Sequence, residues 1–322
     1  KINYYLTNQI IKKLSLMNKN LIYILTIVVL LSASCSGGQQ KRVPQEPIKC
    51  DILISNGTIY DGSGSKPYLG SLAIEDDKII YVGENTSFEA DTVIDATGKA
   101  VSPGFINMLS WGYYSLMDDG RGLSDLKQGV TLEIFGEGTS PGPYWEDGKF
   151  TSFGEAMSEL EESGVSLNIA SFLGAATTRI LEVGYENRQA NSSEMDRMRS
   201  HVENSMKEGA MGIGSSLIYA PGDYASTEEL TELSKVASDY GGMYISHLRS
   251  EGTNLLEALE ELISISRDAN IPAEIYHLKA SREPNWSKLD EVIKRVEEVR
   301  GEGLKITADI YTYNASSTGL TG

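Results

Sequence analysis

Apolar and polar positions change rhythm three times along the chain. Residues 21–31 form a nearly unbroken apolar run, preceded by Met17-Asn-Lys19-Asn and followed by Ser32-Ala-Ser34-Cys35. Between residues 50 and 100 the runs are short and separated by turn signals. Residues 51–55 and 58–60 flank Asn56-Gly57, a strong hairpin signal, and residues 71–74 and 78–82 flank Glu75-Asp-Asp77. With residues 92–96 before Thr97-Gly98, this stretch predicts about five short strands in a small antiparallel β-sandwich module. After Ala100 apolar β runs occupy residues 104–108, 130–135, 165–172, 212–217, 242–247, 273–277 and 305–311. Helical stretches lie between them at 193–208, 226–240, 254–270 and 286–300, with apolar residues at three- and four-residue spacing. Thr227 opens a capping pattern ahead of Glu228 and Glu229.

Seven β runs alternating with helices predict an α/β protein with a parallel (β/α)8 barrel of the TIM type. Such a barrel takes about 250 residues. About 220 follow from Pro103, and the sequence stops just after the seventh run, so the expectation is a barrel whose eighth strand is missing. The implied divisions are an upstream extension outside the mature protein (1–16), a signal peptide (17–35), a polar linker (36–49), the β module (50–100) and the barrel (101–322). The run at 21–31 is too short to span a bilayer and suits an export signal. Cys35, directly after small residues, resembles the lipobox of bacterial lipoproteins, although Ser32 stands where an aliphatic residue is usual. The expectation is export to the bacterial periplasm or cell envelope, with a membrane tether only through an acylated Cys35. Ordinary secretion is the alternative.

Composition narrows the function classes. A formal charge of −17 argues against nucleic acid, whose binding rewards Lys/Arg patches. Both cysteines, Cys35 and Cys50, are read as preceding the folded region, so no disulfide framework or cysteine zinc site is expected. No complete dinucleotide fingerprint and no Gly-x-Ser-x-Gly nucleophile motif occurs.

The chain holds three histidines. His201 lies in the charged helix 193–208 and reads as a surface residue. His247 and His277 each end an apolar β run, thirty residues apart, which is the length of a strand, a helix and their loops. Parallel strands would deliver both imidazoles to one carboxyl edge, where α/β sheets and barrels do chemistry, and neutral imidazole is a common metal ligand.

Several motifs together resemble the amidohydrolase superfamily, in its N-acyl-D-amino-acid deacylase (D-aminoacylase) branch. They are Val101-Ser-Pro-Gly-Phe-Ile106, Gln128-Gly-Val-Thr131, Gly212-Ile-Gly-Ser-Ser-Leu-Ile-Tyr219-Ala-Pro-Gly222, Tyr244-Ile-Ser-His247-Leu-Arg249-Ser-Glu251, His277-Leu-Lys279 and the segment from Asp309 to Leu320. The resemblance implies hydrolysis of the amide of an N-acyl-D-amino acid or related small amide, with zinc, as one ion, at His247 and His277. The branch's metal-binding cysteine falls on Gly138, leaving neighbouring Glu137 as the substitute ligand and Glu133 as the weaker choice. The superfamily's first-strand His-x-His would fall on Leu109 and Trp111, neither of which can bind zinc, so a two-metal site of the usual kind is not expected. Gly174-Ala175 stands where the branch has a Gly-His pair. The general-base Asp after strand eight would lie beyond Gly322. Substrate-binding positions carry over to Tyr219 and Lys279, which would seat a carboxylate, to Arg249, which could equally pair with a structural acid, and to Ser316 and Ser317. Other cyclic amidase or dipeptidase chemistry, or a catalytically inactive ligand-binding relative, remain the alternatives.

Overall fold

The structure, a computed structural model, describes residues 46–84 and 87–318. The expected extension, signal peptide and Cys35 lie outside them. Two units separate between Pro103 and Gly104.

The first unit is one five-stranded mixed sheet. It contains β1 (Ile48–Ile59), β2 (Tyr68–Glu75), β3 (Lys78–Gly83), β4 (Phe88–Asp95) and β5 (Ala100–Val101). The order is β3-β2-β1-β4; β1 runs antiparallel to β2 but parallel to β4 and β5. The described residues thus form a single sheet instead of the two layers of a sandwich. The hairpin expected at Asn56-Gly57 is absent. Asn56 does adopt the left-handed backbone that such a turn needs (φ 61°), but it does so inside β1, where the register with β2 shifts between Ile54 and Gly57. An Asn-Gly pair serves a bulge as well as a turn, and here one long strand with three partners wins over two short ones. The turn at Asp76-Asp77 forms as expected between β2 and β3.

In the second unit, seven strand positions run parallel, each close to an expected run. They are β6 (Phe105–Asn107), β7 (Val130–Phe135), the pair β10 (Asn168–Ser171) and β11 (Leu173–Gly174), β12 (Gly212–Ser216), β13 (Met243–His247), β14 (Ala273–Ile275) and β15 (Ile306–Ala308). β10 pairs with β7 and β11 with β12, so the third run breaks at Phe172 while touching both neighbours. Among the described residues, β6 and β15 each have one strand neighbour. A small antiparallel hairpin, β8 (Tyr144–Glu146) and β9 (Lys149–Thr151), follows β7.

The helices are α1 (Tyr113–Asp118), α2 (Leu123–Leu126), α3 (Phe153–Ser163), α4 (Ala175–Glu182), α5 (Ser192–Lys207), α6 (Thr227–Asp239), α7 (Leu255–Asp268) and α8 (Lys288–Gly301). Capping residues fix where they begin. Ser152 with Glu155, and Asn191 with Glu194, form reciprocal capping boxes on α3 and α5. On α6 the cap is Ser226, which accepts from the Glu229 amide, one residue earlier than Thr227. The apolar stripes of α6 and α7 (Leu230, Leu233, Ala237, Leu255, Leu259, Leu262) share one buried cluster with Ile213 and Tyr244 of the strands. Ile134, Phe172, Ile245 and Tyr276 form a separate cluster. Burying a Leu or Ile contributes about 1.5–3 kcal/mol each, which makes these stripes the main anchor of the strand ends. Among the described residues no helix is long and apolar enough to cross a membrane.

Candidate metal centre

Glu137 follows the end of β7 in the turn Gly136-Glu137-Gly138. Both glycines have left-handed backbones, with φ 106° and 73°. A Cβ on Gly136 would fall 2.3 Å from the carbonyl oxygen of Phe172, and one on Gly138 would fall 2.9 Å from the Cβ of Ser216. Only glycines let the loop lie this close to the neighbouring strands, and the carboxylate between them is buried. His247 is the last residue of β13, whose neighbours Tyr244, Ile245 and Ser246 are fully packed. His277 lies two residues past β14 with φ 37°, a left-handed conformation that costs a non-glycine residue about 1–2 kcal/mol. Its amide donates to Asp309 Oδ1 at 2.7 Å, which pins the turn. Backbone strain of this kind concentrates at functional sites.

The side chains of these three residues, each residue at most 9% exposed, meet. His247 Nδ1 is 2.9 Å from Glu137 Oε1 and 3.1 Å from His277 Nε2, and the third edge, His277 Nε2 to Glu137 Oε1, is 3.6 Å. A tetrahedral zinc with bonds of about 2.0–2.1 Å spaces its ligand atoms by about 3.3–3.4 Å. Two imidazole nitrogens and a carboxylate oxygen at this spacing fit such an ion in both donor chemistry and separation, and they form a possible metal-holding group. The other oxygen of Glu137 accepts the indole N–H of Trp111 at 2.8 Å.

A second carboxylate lies on the far side of the histidines, and the sequence did not single it out as a site residue. Glu251 Oε1 is 3.0 Å from His277 Nδ1, 3.5 Å from His247 Nε2 and 2.5 Å from Lys279 Nζ. Its one sequence signal is its position four residues past His247. Tyr311, also unforeseen, brings its ring to 5.4 Å from Lys279 Nζ.

Electrostatics follow from this crowding. Burial works against ionising Glu137, but hydrogen bonds from His247, His277 and Trp111 bring its carboxyl down to about 2. Burial likewise opposes the charge on Glu251, and His277 and Lys279 bring it to about 2. Burial disfavours the His277 cation, yet Glu137 and Glu251 carry it up to about 9. In the absence of a metal the imidazole is held as a cation between two carboxylates.

The remaining expected residues divide. Lys279 is at the site, 2.9 Å from His277 Nδ1. Tyr219 sets its ring 5.6 Å from that of His247, and its hydroxyl meets Thr318 Oγ1 at 3.0 Å. Ser316 and Ser317 are exposed on the segment leading to Thr318. Arg249 is committed elsewhere. Its guanidinium forks onto Glu261 of α7 with two contacts of 2.8 Å and donates to the carbonyls of Asp223 and Ala225, the pairing with a structural acid that its sequence position left equally open. Glu133 lies within β7 and accepts from Ser110 Oγ at 2.6 Å, apart from the three converging ligand atoms. His201 is half-buried and paired with Glu182 at 2.7 Å, not a free surface residue.

No family model matches the chain. It is 30% identical over 285 residues to the D-aminoacylase of Alcaligenes xylosoxydans xylosoxydans, covering 84% of this chain and 59% of that protein. Among solved structures it resembles a crystal structure of D-aminoacylase (TM-score 0.74, 28% identity, 82% of this chain and 59% of the other). It also resembles the N-acyl-D-glutamate deacylase of Bordetella bronchiseptica complexed with zinc and a phosphonate mimic of the tetrahedral intermediate (TM-score 0.73, 26% identity, 82% and 59%). The chain spans about three-fifths of the length of these relatives. It is a homologue of the D-aminoacylases and N-acyl-D-amino-acid deacylases of the amidohydrolase superfamily, and shares their parallel α/β fold.

Proposed function

We propose that the protein hydrolyses the amide bond of N-acyl-D-amino acids with one zinc ion held by Glu137, His247 and His277. The observation that carries this reading is the triangle of ligand atoms, 2.9, 3.1 and 3.6 Å on its edges, in a chain homologous to deacylases of that class. A zinc ion in such a site polarises an acyl carbonyl and brings the pKa of bound water toward neutrality. One ion is the reading because Leu109 and Trp111 stand where the superfamily's first-strand histidines would be, and because the Trp111 indole already takes the second oxygen of Glu137. The Trp111 N–H thereby leaves Oε1 as the oxygen facing the histidines. Lys279 supplies the positive charge nearest them and would draw the substrate carboxylate, with the Tyr219 hydroxyl as a further donor. Ser316 and Ser317 lie close in sequence to Thr318, the hydroxyl partner of Tyr219, which supports a place at the substrate's edge. The family's general-base aspartate is not among the described residues.

The seven parallel strand positions support a (β/α)8 barrel, and the five-stranded sheet is read as part of the family's small β module. The apolar run at residues 21–31 before Cys35 supports export and lipid anchoring at the cell envelope. Metabolic labelling with a fatty acid tests this, and a Cys35→Ser variant that still carries the label would refute it.

The activity is tested by offering the zinc-loaded full-length protein N-acetyl derivatives of D- and L-amino acids. The expected result is release of acetate and the free D-amino acid, with the L series slower and His277→Ala inactive. Binding of the D substrates without turnover, unaltered in His277→Ala, would identify a ligand-binding relative instead.

A further inference from the structure

We infer that Glu251 is a positioning residue that fixes the proton-bearing nitrogen of both metal-site histidines at once. This rests on the proposed zinc site and extends it outward by one layer. Each imidazole turns one nitrogen toward Glu137 and the other toward Glu251. His277 presents Nε2 to the triangle and Nδ1 to Glu251 Oε1 at 3.0 Å; His247 presents Nδ1 to the triangle and Nε2 to the same oxygen at 3.5 Å.

Proton counting assigns the roles. A neutral imidazole that gives one nitrogen's lone pair to a metal carries its proton on the other nitrogen. Both protons then face Glu251 Oε1. Lys279 Nζ lies 2.9 Å from His277 Nδ1, but a protonated Nδ1 cannot accept from it. The ammonium is left to Glu251 Oε1 at 2.5 Å and the His277 carbonyl at 3.3 Å.

Two further observations point the same way. His247 Nε2 is buried and has no hydrogen-bond partner among the described residues, so Glu251 is the group poised to satisfy it. Glu251 is itself held, with Ser281 Oγ donating to Oε2 at 3.1 Å and the Ser281 amide donating to the Glu251 carbonyl at 2.7 Å. A carboxylate behind a metal-bound histidine orients the ring and raises its basicity, and its loss weakens metal binding by roughly 10–100-fold. Here one carboxylate would serve two rings, with the Lys279 ammonium offsetting its charge.

The test compares the zinc affinity of the wild-type, Glu251→Gln, Glu251→Ala and Glu251→Asp full-length proteins by chelator competition. It is paired with 15N spectra of histidine-labelled protein, with His247 and His277 assigned by their single substitutions. The expected result is zinc binding weakened roughly 10–100-fold in Glu251→Ala and less in Glu251→Gln. Both variants should show altered tautomer signals from two histidines, with Glu251→Asp recovering part of each. Wild-type affinity and unchanged imidazole signals in Glu251→Gln would overturn the inference while leaving the zinc site standing. Failure of the wild type to bind zinc would overturn the site itself. Because Glu251→Gln preserves shape and one hydrogen-bonding oxygen, it keeps the test decisive if Glu251→Ala does not fold.

Discussion

The loops after β13 and β14 carry the same pattern and reach opposite ends. In each, a cation stands two residues beyond a histidine: Arg249 beyond His247, Lys279 beyond His277. Arg249 is drawn outward to Glu261 on the neighbouring helix, where its planar fork matches the carboxylate with two equal contacts and its remaining donors take two backbone carbonyls. Lys279 stays at the histidines because the acid it meets, Glu251, is itself packed behind them. Position in the motif is shared, and the location of the partner carboxylate decides which cation is drawn to the neighbouring helix and which lies against the histidines.

Exchanging the two cations for methionine separates these roles. Lys279→Met should raise the KM for an N-acyl-D-amino acid roughly 100-fold through loss of a charged contact, with a smaller fall in melting temperature than Arg249→Met because Glu251 keeps His277 as a partner. Arg249→Met should do the reverse. It leaves Glu261 partly buried without its partner, costing about 2 kcal/mol, less than the about 3–5 of a fully buried pair because Arg249 is one-third exposed. That cost lowers Tm by roughly 4–8 °C with KM preserved. A KM effect in Arg249→Met as large as that in Lys279→Met would dissolve the distinction.

The surroundings of the two cations also differ in response to pH, since Lys279 contacts a histidine and Arg249 contacts Glu261 and two backbone carbonyls. His277 is raised from its ordinary value to about 9 in the metal-free protein. A raised histidine stabilises the fold fully below its unfolded pKa near 6.5, and that contribution is lost as pH rises through about 9. Chelator-treated protein should therefore lose thermal stability between pH 7 and 9.5. Zinc binding has the opposite sign, because the ion must displace this proton; its affinity should climb over the same interval. An affinity flat across this range would contradict the placement of His277 Nε2 as a ligand.

A smaller effect is expected at Trp111, which is largely exposed although its N–H holds Glu137. Trp111→Phe should weaken zinc binding by roughly 3–10-fold, at or below the usual range for outer partners of a metal site. Chelator competition measures this, and no change would mean that Glu137 is positioned by its glycine-flanked turn alone.

Much of this was legible in the sequence. The seven β runs and four helices stood out because strand and helix periods impose themselves on a long stretch, and each helix buries an apolar stripe such as that of Leu255, Leu259 and Leu262. His247 and His277 were legible because each ends such a run, and Glu137 because it takes the place beside a residue with a defined role in related chains. Asn56-Gly57 misled because left-handed backbone serves a bulge and a turn alike. Glu251 passed unnoticed as a site residue because a loop carboxylate looks the same in sequence whether solvated or buried. Trp111 was read only as a lost ligand. That its N–H takes up a carboxylate oxygen depends on two loops meeting in space, which no local pattern encodes.

The single zinc ion proposed for Glu137, His247 and His277 can be counted. Elemental analysis of the full-length protein after dialysis tests it most directly. One zinc per chain is expected in the wild type and none in His247→Ala or His277→Ala. A wild-type protein without zinc, or histidine variants that retain it, would contradict it.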